Sequence, residues 1–398
     1  MDITISPRPL RGTVTAIPSK SQAHRLLICA AFSDKPTTLI CPDTNRDIEA
    51  TADCLTALGA DIRRTANGYD VIPVQKPPKE AGLNCHESGS TLRFMLPIAG
   101  ALGVDATFQM AGRLPQRPLS PLWEEMERMG CILTRPTDDT LRCQGRLQSG
   151  EYVISGGVSS QFITGLLFAA TLMDGDSCIA ITGKLESRPY VEMTQRAMEL
   201  FRVGTTDYHI CGGQVFRSPG VVTVEGDWSN GAFWLAANAL GSQLEIKNLT
   251  SDSPQGDRAV AEILPQLAEN ITVAAADIPD LVPILSVVAG ANQGAVFTDI
   301  QRLRLKETDR VATVIAMLTA LGIDAEATES TLTVHPGPYH GCVIDAANDH
   351  RIAMSAAIAA IAANGPVTIL NADCVNKSYS KFWEEYRRLG GNYEQYLR

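Results

Sequence analysis

The strongest constraint on the fold of this chain is an internal repeat that occurs six times in its 398 residues. Each copy begins with a small or acidic polar residue and continues for about 15 mostly apolar residues, up to a Gly or an Asp. The spacing is regular, since Ser19 to Ser88 is 69 residues, Ser88 to Ser159 is 71, and Ser159 to Ser229 is 70. Each copy predicts an N-capped helix, and its apolar residues on nearly every side predict that the helix is buried.

A second series of segments alternates with these first-series helices. Each has a β-branched run, a polar loop and an amphipathic, second-series helix. In the first, second, third and fifth units this helix precedes two strand-like runs, such as residues 61–66 and 69–74. The sixth unit runs out of chain at Arg398, so the strand-like residues 2–7 and 12–18 are expected to complete it.

The fourth unit is shorter than the others. Ser229 to Asp280 is only 51 residues, whereas Asp280 to Asp349 is 69. We therefore predict that this unit has lost about twenty residues between Leu264 and Asp277, away from the helix starts.

The repeat predicts an α/β protein with two globular halves of three units each. An open array is disfavoured, because helices that are apolar on every side need neighbours all around them. The character of the sequence changes near Gly226. We expect an inner domain over residues 19–225 and an outer domain made of residues 1–18 and 226–398.

Charge and cysteine usage exclude several classes of function. The 34 basic and 44 acidic residues give a net charge of −10, which argues against nucleic-acid or membrane-surface binding. The N-terminus lacks a secretory pattern and no apolar run reaches membrane-spanning length, so a cytoplasmic location is expected. The ten cysteines form no Cys-x-x-Cys and no Cys/His cluster, which predicts buried thiols and no metal site.

Polar and charged residues collect at the predicted helix starts. If every unit aims these starts in one direction, they converge on one cleft, and their N–H groups, hydroxyls and cations would suit phosphorylated ligands. The first-series starts carry Lys20, Ser21 and Arg25; Ser88, Gly89, Ser90, Thr91 and Arg93; Ser159, Ser160 and Gln161; Asp227; Asp280; and Asp349, His350 and Arg351. The second-series starts carry Asp47; Arg117; Ser187, Arg188 and Tyr190; Lys306, Glu307, Asp309 and Arg310; and Lys377.

Each of these features has a simpler interpretation. A lone Ser or Asp at a helix start is usually a cap, and Asp47 and Asp227 can be explained as caps alone. A Lys-Glu-x-Asp-Arg run is usually a solvated helix face. Arg or Lys at the equivalent loop of several units is not required by capping, however, and favours an anion-binding cleft. The pattern does not by itself identify a reaction.

The motifs, in this order along the chain, resemble those of the 5-enolpyruvylshikimate-3-phosphate synthase family. The resemblance covers essentially the whole chain, and its most specific stretches are "SKSQAHR", "SGSTLRF", "SSQFITGLL", "ESRPY", "VEGDWS", "IPDLVP", "RLRLKETDR", "NDHRIAM" and "NKS". It implies two domains, each of three βαβαββ units around a pseudo-threefold axis, here with the fourth unit truncated. It also implies a monomer without cofactor or metal, acting on two small-molecule substrates in the shikimate pathway.

The resemblance implies roles for individual residues. Shikimate 3-phosphate would be bound by Lys20, Ser21, Arg25, Ser159, Ser160, Gln161, Ser187, Asp280 and Lys306. Phosphoenolpyruvate would be bound by Lys20, Gly89, Arg117, Gln161, Arg310, Arg351 and Lys377. Asp280 would take the proton of the 5-hydroxyl and Glu307 would protonate C3 of the enolpyruvyl group, with Lys20 and Lys377 also catalytic. Gly89 would admit the inhibitor glyphosate.

Some positions depart from the family pattern. Ala23 and His24 stand where serine and asparagine are common, and His24 has no role in this interpretation. Glu87 and Arg302 each stand where asparagine is common, which leaves the nearby ligand contacts open.

Two other functions would explain part of the pattern. A UDP-N-acetylglucosamine enolpyruvyl transferase would share the fold, but its loop cysteine is absent from "MAGRLPQRPLSPL". A non-catalytic repeat scaffold would explain the periodicity without explaining the charged residues at the helix starts.

Overall fold

The computed structural model describes residues 1–396 as alternating strands and helices. The strands are β1 (Asp2–Ser6), β2 (Arg11–Thr15), β3 (Thr37–Ile40), β4 (Asp61–Thr65), β5 (Gly68–Ile72), β6 (Glu80–His86), β7 (Asp105–Met110), β8 (Cys131–Thr134), β9 (Thr140–Gly145), β10 (Glu151–Ser155), β11 (Ser177–Thr182), β12 (His209–Ile210), β13 (Val221–Thr223), β14 (Gln243–Lys247), β15 (Ile271–Ala274), β16 (Ala295–Thr298), β17 (Ala325–Ala327), β18 (Thr331–Val334), β19 (Cys342–Asp345), β20 (Val367–Leu370) and β21 (Asn392–Tyr396).

The helices follow the two predicted series. The first-series helices are α1 (Lys20–Ala31), α3 (Gly89–Leu102), α5 (Ser160–Thr171), α7 (Trp228–Ala239), α9 (Val282–Ala291) and α11 (His350–Ala359). The second-series helices are α2 (Arg46–Ala57), α4 (Leu122–Arg128), α6 (Arg188–Leu200), α8 (Val260–Gln266), α10 (Arg310–Ala320) and α12 (Phe382–Arg388). Short 3-10 helices cover Leu114–Gln116, Gly256–Ala259, Gln301–Leu305, Ala360–Ala362 and Ala372–Lys377.

The contacts divide the chain into two compact units. One comprises Pro18–Val224, and the other joins Met1–Ile17 to Glu225–Arg398. Each has its own hydrophobic core, built around the buried first-series helices. In α5, for example, eleven of the twelve residues are buried. The α/β fold predicted from the repeat is therefore confirmed.

The sheets show how consecutive repeat units are joined. In each four-stranded sheet, the last strand of one unit pairs in parallel with an inner strand of another unit. β6 with β7 and β15 with β16 join consecutive units, whereas β13 with β3 joins the third unit to the first. The four-stranded orders are β13-β3-β5-β4, β6-β7-β9-β8, β15-β16-β18-β17 and β19-β20-β1-β21. The N-terminal β1 pairs antiparallel with both β20 and β21, so it completes the sixth unit as predicted.

Two units depart from the full pattern. The predicted strand pair of the third unit is wrong, because only β12 forms there, in a three-stranded sheet. Positive φ angles at Arg202, Asp207 and Tyr208 turn the chain before β12, where the first strand of the pair would lie. In the fourth unit α8 leads almost directly into β15, and its sheet contains only β14 and β2. The truncation has thus removed the antiparallel strand pair of this unit.

Helices α3 and α5 approach closely in unit Pro18–Val224. A Cβ at Gly165 would lie 2.2 Å from the carbonyl oxygen of Arg93, so only glycine fits. Pro97 in α3 supplies no N–H to that carbonyl, which weakens the helical hydrogen bonding at this point. This contact sets the spacing of the two helix starts that carry Gly89 and Ser160.

No helix within residues 1–396 has both the length and the hydropathy that a membrane span requires. The ten cysteines are free thiols, and seven of them are buried. Across the same residues, no group of three or more His, Cys, Asp or Glu side chains is arranged to hold a metal ion.

Candidate active site

In unit Pro18–Val224, the first predicted cation already has a protein partner. Lys20, the first residue of α1, lies 2.8 Å from the Asp47 carboxylate in the first turn of α2. Both side chains are less than a fifth exposed. Interpreting Asp47 as a cap was wrong, because Asn45 caps α2 by accepting from the Ile48 N–H. Asp47 instead offsets a cation placed against the helix dipole.

Arg25 is buried in α1 and held by hydrogen bonds from three directions. It donates to the hydroxyl of Thr194 and to the carbonyl oxygens of Ser21 and Tyr190, with a longer 3.5 Å contact to the Thr164 hydroxyl. Burial lowers the pKa of its guanidinium to about 10. Four of its five N–H groups therefore point to protein oxygens, so a ligand carboxylate is offered one donor rather than a bidentate pair.

His24, which had no predicted role, forms a buried hydrogen-bond chain between three helix starts. Its Nδ1 lies 2.7 Å from the Thr51 hydroxyl, and Thr51 contacts the Thr91 hydroxyl, also at 2.7 Å. Thr91 continues the chain by donating to the Ser88 hydroxyl. Burial is the largest cause that lowers the pKa of His24 well below its ordinary 6.5, followed by the charges of Lys20 and Arg25.

The start of α5 carries three of the predicted shikimate 3-phosphate ligands, Ser159, Ser160 and Gln161. Ser159 caps the helix by accepting from the Gln161 N–H, and Ser160 is its buried first residue. The Gln161 side chain accepts from Arg93 and donates to the Ser90 hydroxyl. Hydroxyls and N–H groups of this kind suit an oxyanion. At the start of α6, buried Ser187 adopts a left-handed φ of 55° and makes no capping hydrogen bond with its side chain.

Two guanidinium groups lie over the first residue of α3. A Cβ at Gly89 would be 2.7 Å from Nη1 of both Arg117 and Arg93. Arg93 also donates to the Pro118 carbonyl, which ties it to the loop that carries Arg117. Arg117 itself follows a 3-10 helix and precedes α4 by several residues, so its predicted place at a helix start was wrong. A side chain at position 89 would therefore displace one or both guanidinium groups from the helix N-terminus.

In the other unit, Arg310 forms ion pairs with three carboxylates. Its Nη1 lies 2.7 Å from Asp280, its Nη2 2.5 Å from Glu307, and its Nε 2.8 Å from Asp349. Arg310 and Asp349 are buried, with 1% and 0% of their side chains exposed, respectively. Burial alone would lower the pKa of this guanidinium, but the carboxylates outweigh it and the pKa is raised well above its ordinary value.

Asp280 is the carboxylate that three of the predicted cations share. Besides Arg310, it lies 3.3 Å from Lys306 and 3.4 Å from Arg351. It is not the helix cap implied by the repeat, because Leu281 occupies the N-cap position of α9. Burial lowers the pKa of the Lys306 ammonium to about 8, with Asp280 acting in the opposite direction.

Arg351 and Lys377 complete this cluster. Arg351, in the first turn of α11, donates to the hydroxyl of Ser229 at 2.7 Å, and Asp349 caps the same helix. Lys377 ends a 3-10 helix well before α12, so its predicted place at a second-series helix start was wrong. Its ammonium donates to the Asn348 carbonyl at 2.8 Å, and its side chain is buried.

Asp257, a buried residue of a 3-10 helix in the truncated unit, was not predicted from the sequence. Burial, then the neighbouring charge of Asp280, raises its pKa to about 6. It lies in a polar loop, "SDSPQGDR", whose composition predicts exposure. Lys20 and Arg310 also have carboxylate partners within the protein, so a cation at a helix start is not by itself evidence for an anionic ligand.

Comparisons with known proteins agree over the whole chain. A family model described as EPSP synthase (3-phosphoshikimate 1-carboxyvinyltransferase) matches residues 5–278 and 268–386. A protein of Clostridium kluyveri named 3-phosphoshikimate 1-carboxyvinyltransferase is 36% identical, covering 99% of this chain and 98% of the relative. One of the same name from Clostridium novyi is 37% identical, covering 98% of each.

Solved structures show the same fold at lower identity. An EPSP synthase from Acinetobacter baumannii superposes with a TM-score of 0.79 at 22% identity, covering 99% of this chain and 100% of that one. The enolpyruvyl transferase NikO from Streptomyces tendae gives a TM-score of 0.76 at 18% identity, covering 99% and 98%.

Proposed function

Because this chain belongs to the EPSP synthase family, we propose that it transfers the enolpyruvyl group of phosphoenolpyruvate to the 5-hydroxyl of shikimate 3-phosphate. The products are 5-enolpyruvylshikimate 3-phosphate and phosphate, and the reaction belongs to the shikimate pathway to chorismate and aromatic amino acids. The observation that carries the residue assignment is the pair of carboxylates, Asp280 and Glu307, held on one buried guanidinium.

The two carboxylates divide the proton transfers. Asp280 accepts the proton of the 5-hydroxyl as its oxygen attacks C2 of phosphoenolpyruvate, and Glu307 gives a proton to C3. This produces a tetrahedral ketal phosphate without a covalent bond to the protein. Loss of phosphate and of a C3 proton then gives the enol ether. Arg310 bonds to both acids, which supports a fixed separation between the base and the acid.

Shikimate 3-phosphate is assigned to the polar helix starts. Ser159, Ser160 and Ser187 bind its phosphate, since they combine hydroxyls with helix N-termini. Arg25 offers its remaining N–H to the carboxylate, and Lys306 binds the phosphate or the ring hydroxyls. The further ligands assigned to this substrate are Lys20, Ser21, Gln161 and Asp280.

Phosphoenolpyruvate is assigned to the cations, which offset repulsion between two anionic substrates. Arg117 is the best placed of them, because Gly89 lets its guanidinium reach a helix N-terminus. Arg310 and Arg351 also form ion pairs with Asp280, so their positive charge is shared between a protein carboxylate and the ligand assigned to them. The further ligands assigned to this substrate are Lys20, Gln161 and Lys377.

Phosphate release from phosphoenolpyruvate tests this proposal. Release that requires shikimate 3-phosphate is expected, whereas UDP-N-acetylglucosamine as the acceptor should give none. Asp280→Asn should abolish turnover and leave shikimate 3-phosphate binding within a few-fold, because the serine and arginine ligands remain. Asp324→Asn, at an exposed site, is the control. Folded protein that releases no phosphate with both substrates present would refute the proposed activity.

A further inference from the structure

His24 has no part in the proposed reaction, although it is fully buried one turn after Lys20 in α1. Its imidazole packs against the Phe94 ring of α3 in a T-shaped arrangement, with the ring centroids 6.3 Å apart. The Nδ1 atom lies 2.7 Å from the Thr51 hydroxyl of α2. His24 therefore contacts both of the neighbouring helices whose starts carry residues of the site.

The hydrogen bonds that begin at His24 run in one direction. Thr91 donates to the Ser88 hydroxyl at 2.7 Å, and a hydroxyl has only one proton, so Thr91 accepts from Thr51. Thr51 accepts in turn from His24, which requires the imidazole proton on Nδ1. Nε2 is buried and has no hydrogen-bond partner within residues 1–396, so a proton there would leave an unpaired buried donor. Both observations lead to a neutral imidazole that donates to Thr51.

The same hydrogen bonds lead to helix starts assigned to phosphoenolpyruvate. Lys20 precedes His24 by one turn of α1, and Gly89 is the first residue of α3, two residues before Thr91. The Thr91 hydroxyl also lies 3.4 Å from the carbonyl oxygen of Asp47, whose carboxylate contacts Lys20 at 2.8 Å. Buried hydrogen bonds thus connect His24 with the two helix starts that carry Lys20 and Gly89.

We propose that His24 is a positioning residue for phosphoenolpyruvate, which holds the start of α3 against the start of α1 through the hydroxyls of Thr51 and Thr91. The inference rests on the proposed function of these helix starts, and it assigns no contact between His24 and either substrate. The N–H donor of His24 is the essential group, because it sets the direction of the hydrogen bonds that follow it. Without that donor the Thr51 hydroxyl no longer connects α1 to α3, and the ligands on the two helices lose their fixed separation.

Steady-state phosphate release compares two replacements of His24 that differ in this donor. His24→Leu is apolar and of similar size, and it should raise the KM for phosphoenolpyruvate by about fivefold or more. His24→Asn keeps an N–H donor at the δ position, so its KM should stay within about twofold of the wild type. The KM for shikimate 3-phosphate should change by less than about threefold in both variants, because its phosphate ligands belong to the starts of α5 and α6.

Two further variants separate positioning from stability. Thr51→Val interrupts the hydrogen bonds and should raise the KM for phosphoenolpyruvate, with no further rise when it is combined with His24→Leu. Thr171→Val removes a buried hydroxyl that donates to a carbonyl within α5, and it should lower stability with both KM values unchanged. KM does not depend on how much of the enzyme is folded, so a loss of stability alone changes only the apparent kcat.

An active wild type whose KM for phosphoenolpyruvate is matched by folded His24→Leu or by folded Thr51→Val would overturn this inference alone. An Asn variant that is as impaired as the Leu variant would also overturn it. A wild type that releases no phosphate would overturn the proposed function and this inference with it. If His24→Leu does not fold, Thr51→Val decides, because its effect is measured by the same KM.

Discussion

Replacing Asp349 by Asn separates its charge from its capping role. The carboxylate caps α11 by accepting from the Arg351 N–H at 3.0 Å, and it also accepts from Arg310. Asn is as good a cap as Asp, so the substitution keeps the cap and removes the charge. Its effect on stability therefore reports the buried ion pair.

The distances set the expected size of this effect. At an effective dielectric constant of about 20, opposite charges 2.8 Å apart attract by about 6 kcal/mol. Asp280 and Glu307 remain on Arg310 in the variant, which reduces the net loss. We expect the free energy of unfolding to fall by about 3 kcal/mol, at the lower end of the range for breaking a buried pair.

Urea unfolding followed by tryptophan fluorescence measures this loss. Trp228, Trp234 and Trp383 lie in the same unit as Asp349, so they report its unfolding. Asp324→Asn, at an exposed carboxylate of the same unit, should change the free energy by less than about 0.5 kcal/mol. A loss below about 1 kcal/mol for Asp349→Asn would refute the reasoning, because the Arg310–Asp349 pair would then contribute little to the free energy of unfolding.

Three further predictions concern other parts of the chain. His24 is held neutral by burial, so the unfolded chain binds more protons below pH 6.5 and stability falls as the pH decreases. Between pH 7 and 5.5 the wild type should lose about 1 kcal/mol more than His24→Asn in urea unfolding, and parallel losses would contradict this. Gly89→Ala pushes a Cβ against Arg117 and Arg93, and it should raise the KM for phosphoenolpyruvate by about tenfold or more, or about 1.4 kcal/mol. An unchanged KM would mean that both guanidinium groups move aside at no cost. The family resemblance also implies that millimolar glyphosate slows the wild type. The truncated fourth unit, with its two-stranded sheet, should give Met1–Ile17 plus Glu225–Arg398 a lower urea midpoint than the same unit of the Clostridium kluyveri relative. Equal midpoints would count against a stabilising role for the missing strand pair.

The repeat predicted the alternation of helices and strands because it depends on local pattern. Ser19, Ser88, Ser159, Asp227 and Asp349 each cap a first-series helix, as the polar starts indicated. Asp280 does not cap α9, because its carboxylate forms ion pairs with Arg310 of α10 and Arg351 of α11. Periodicity carries no information on such contacts, which join residues far apart in sequence.

The ion pairs of the site could not be predicted from the sequence for the same reason. Lys20 and Asp47 are separated by 27 residues, and Arg310 and Asp349 by 39. The sequence predicts Lys20 and Arg310 at helix starts but not the carboxylates that they contact. Asp257 was harder to foresee, because the polar loop around it resembles an exposed turn.

The position of β1 in its sheet affects the order in which the chain can fold during synthesis. β1 lies between β20 and β21, and the register pairs Ile3 with Ile369 and Gln395. β2 pairs with β14, whose residues follow more than two hundred positions later. The first seventeen residues therefore leave the ribosome long before their partners, while Pro18–Val224 is completed and can fold. Until the C-terminal strands emerge, β1 lacks both of its partner strands, and its backbone edges and the side chains of Ile3 and Ile5 are open to incorrect pairing.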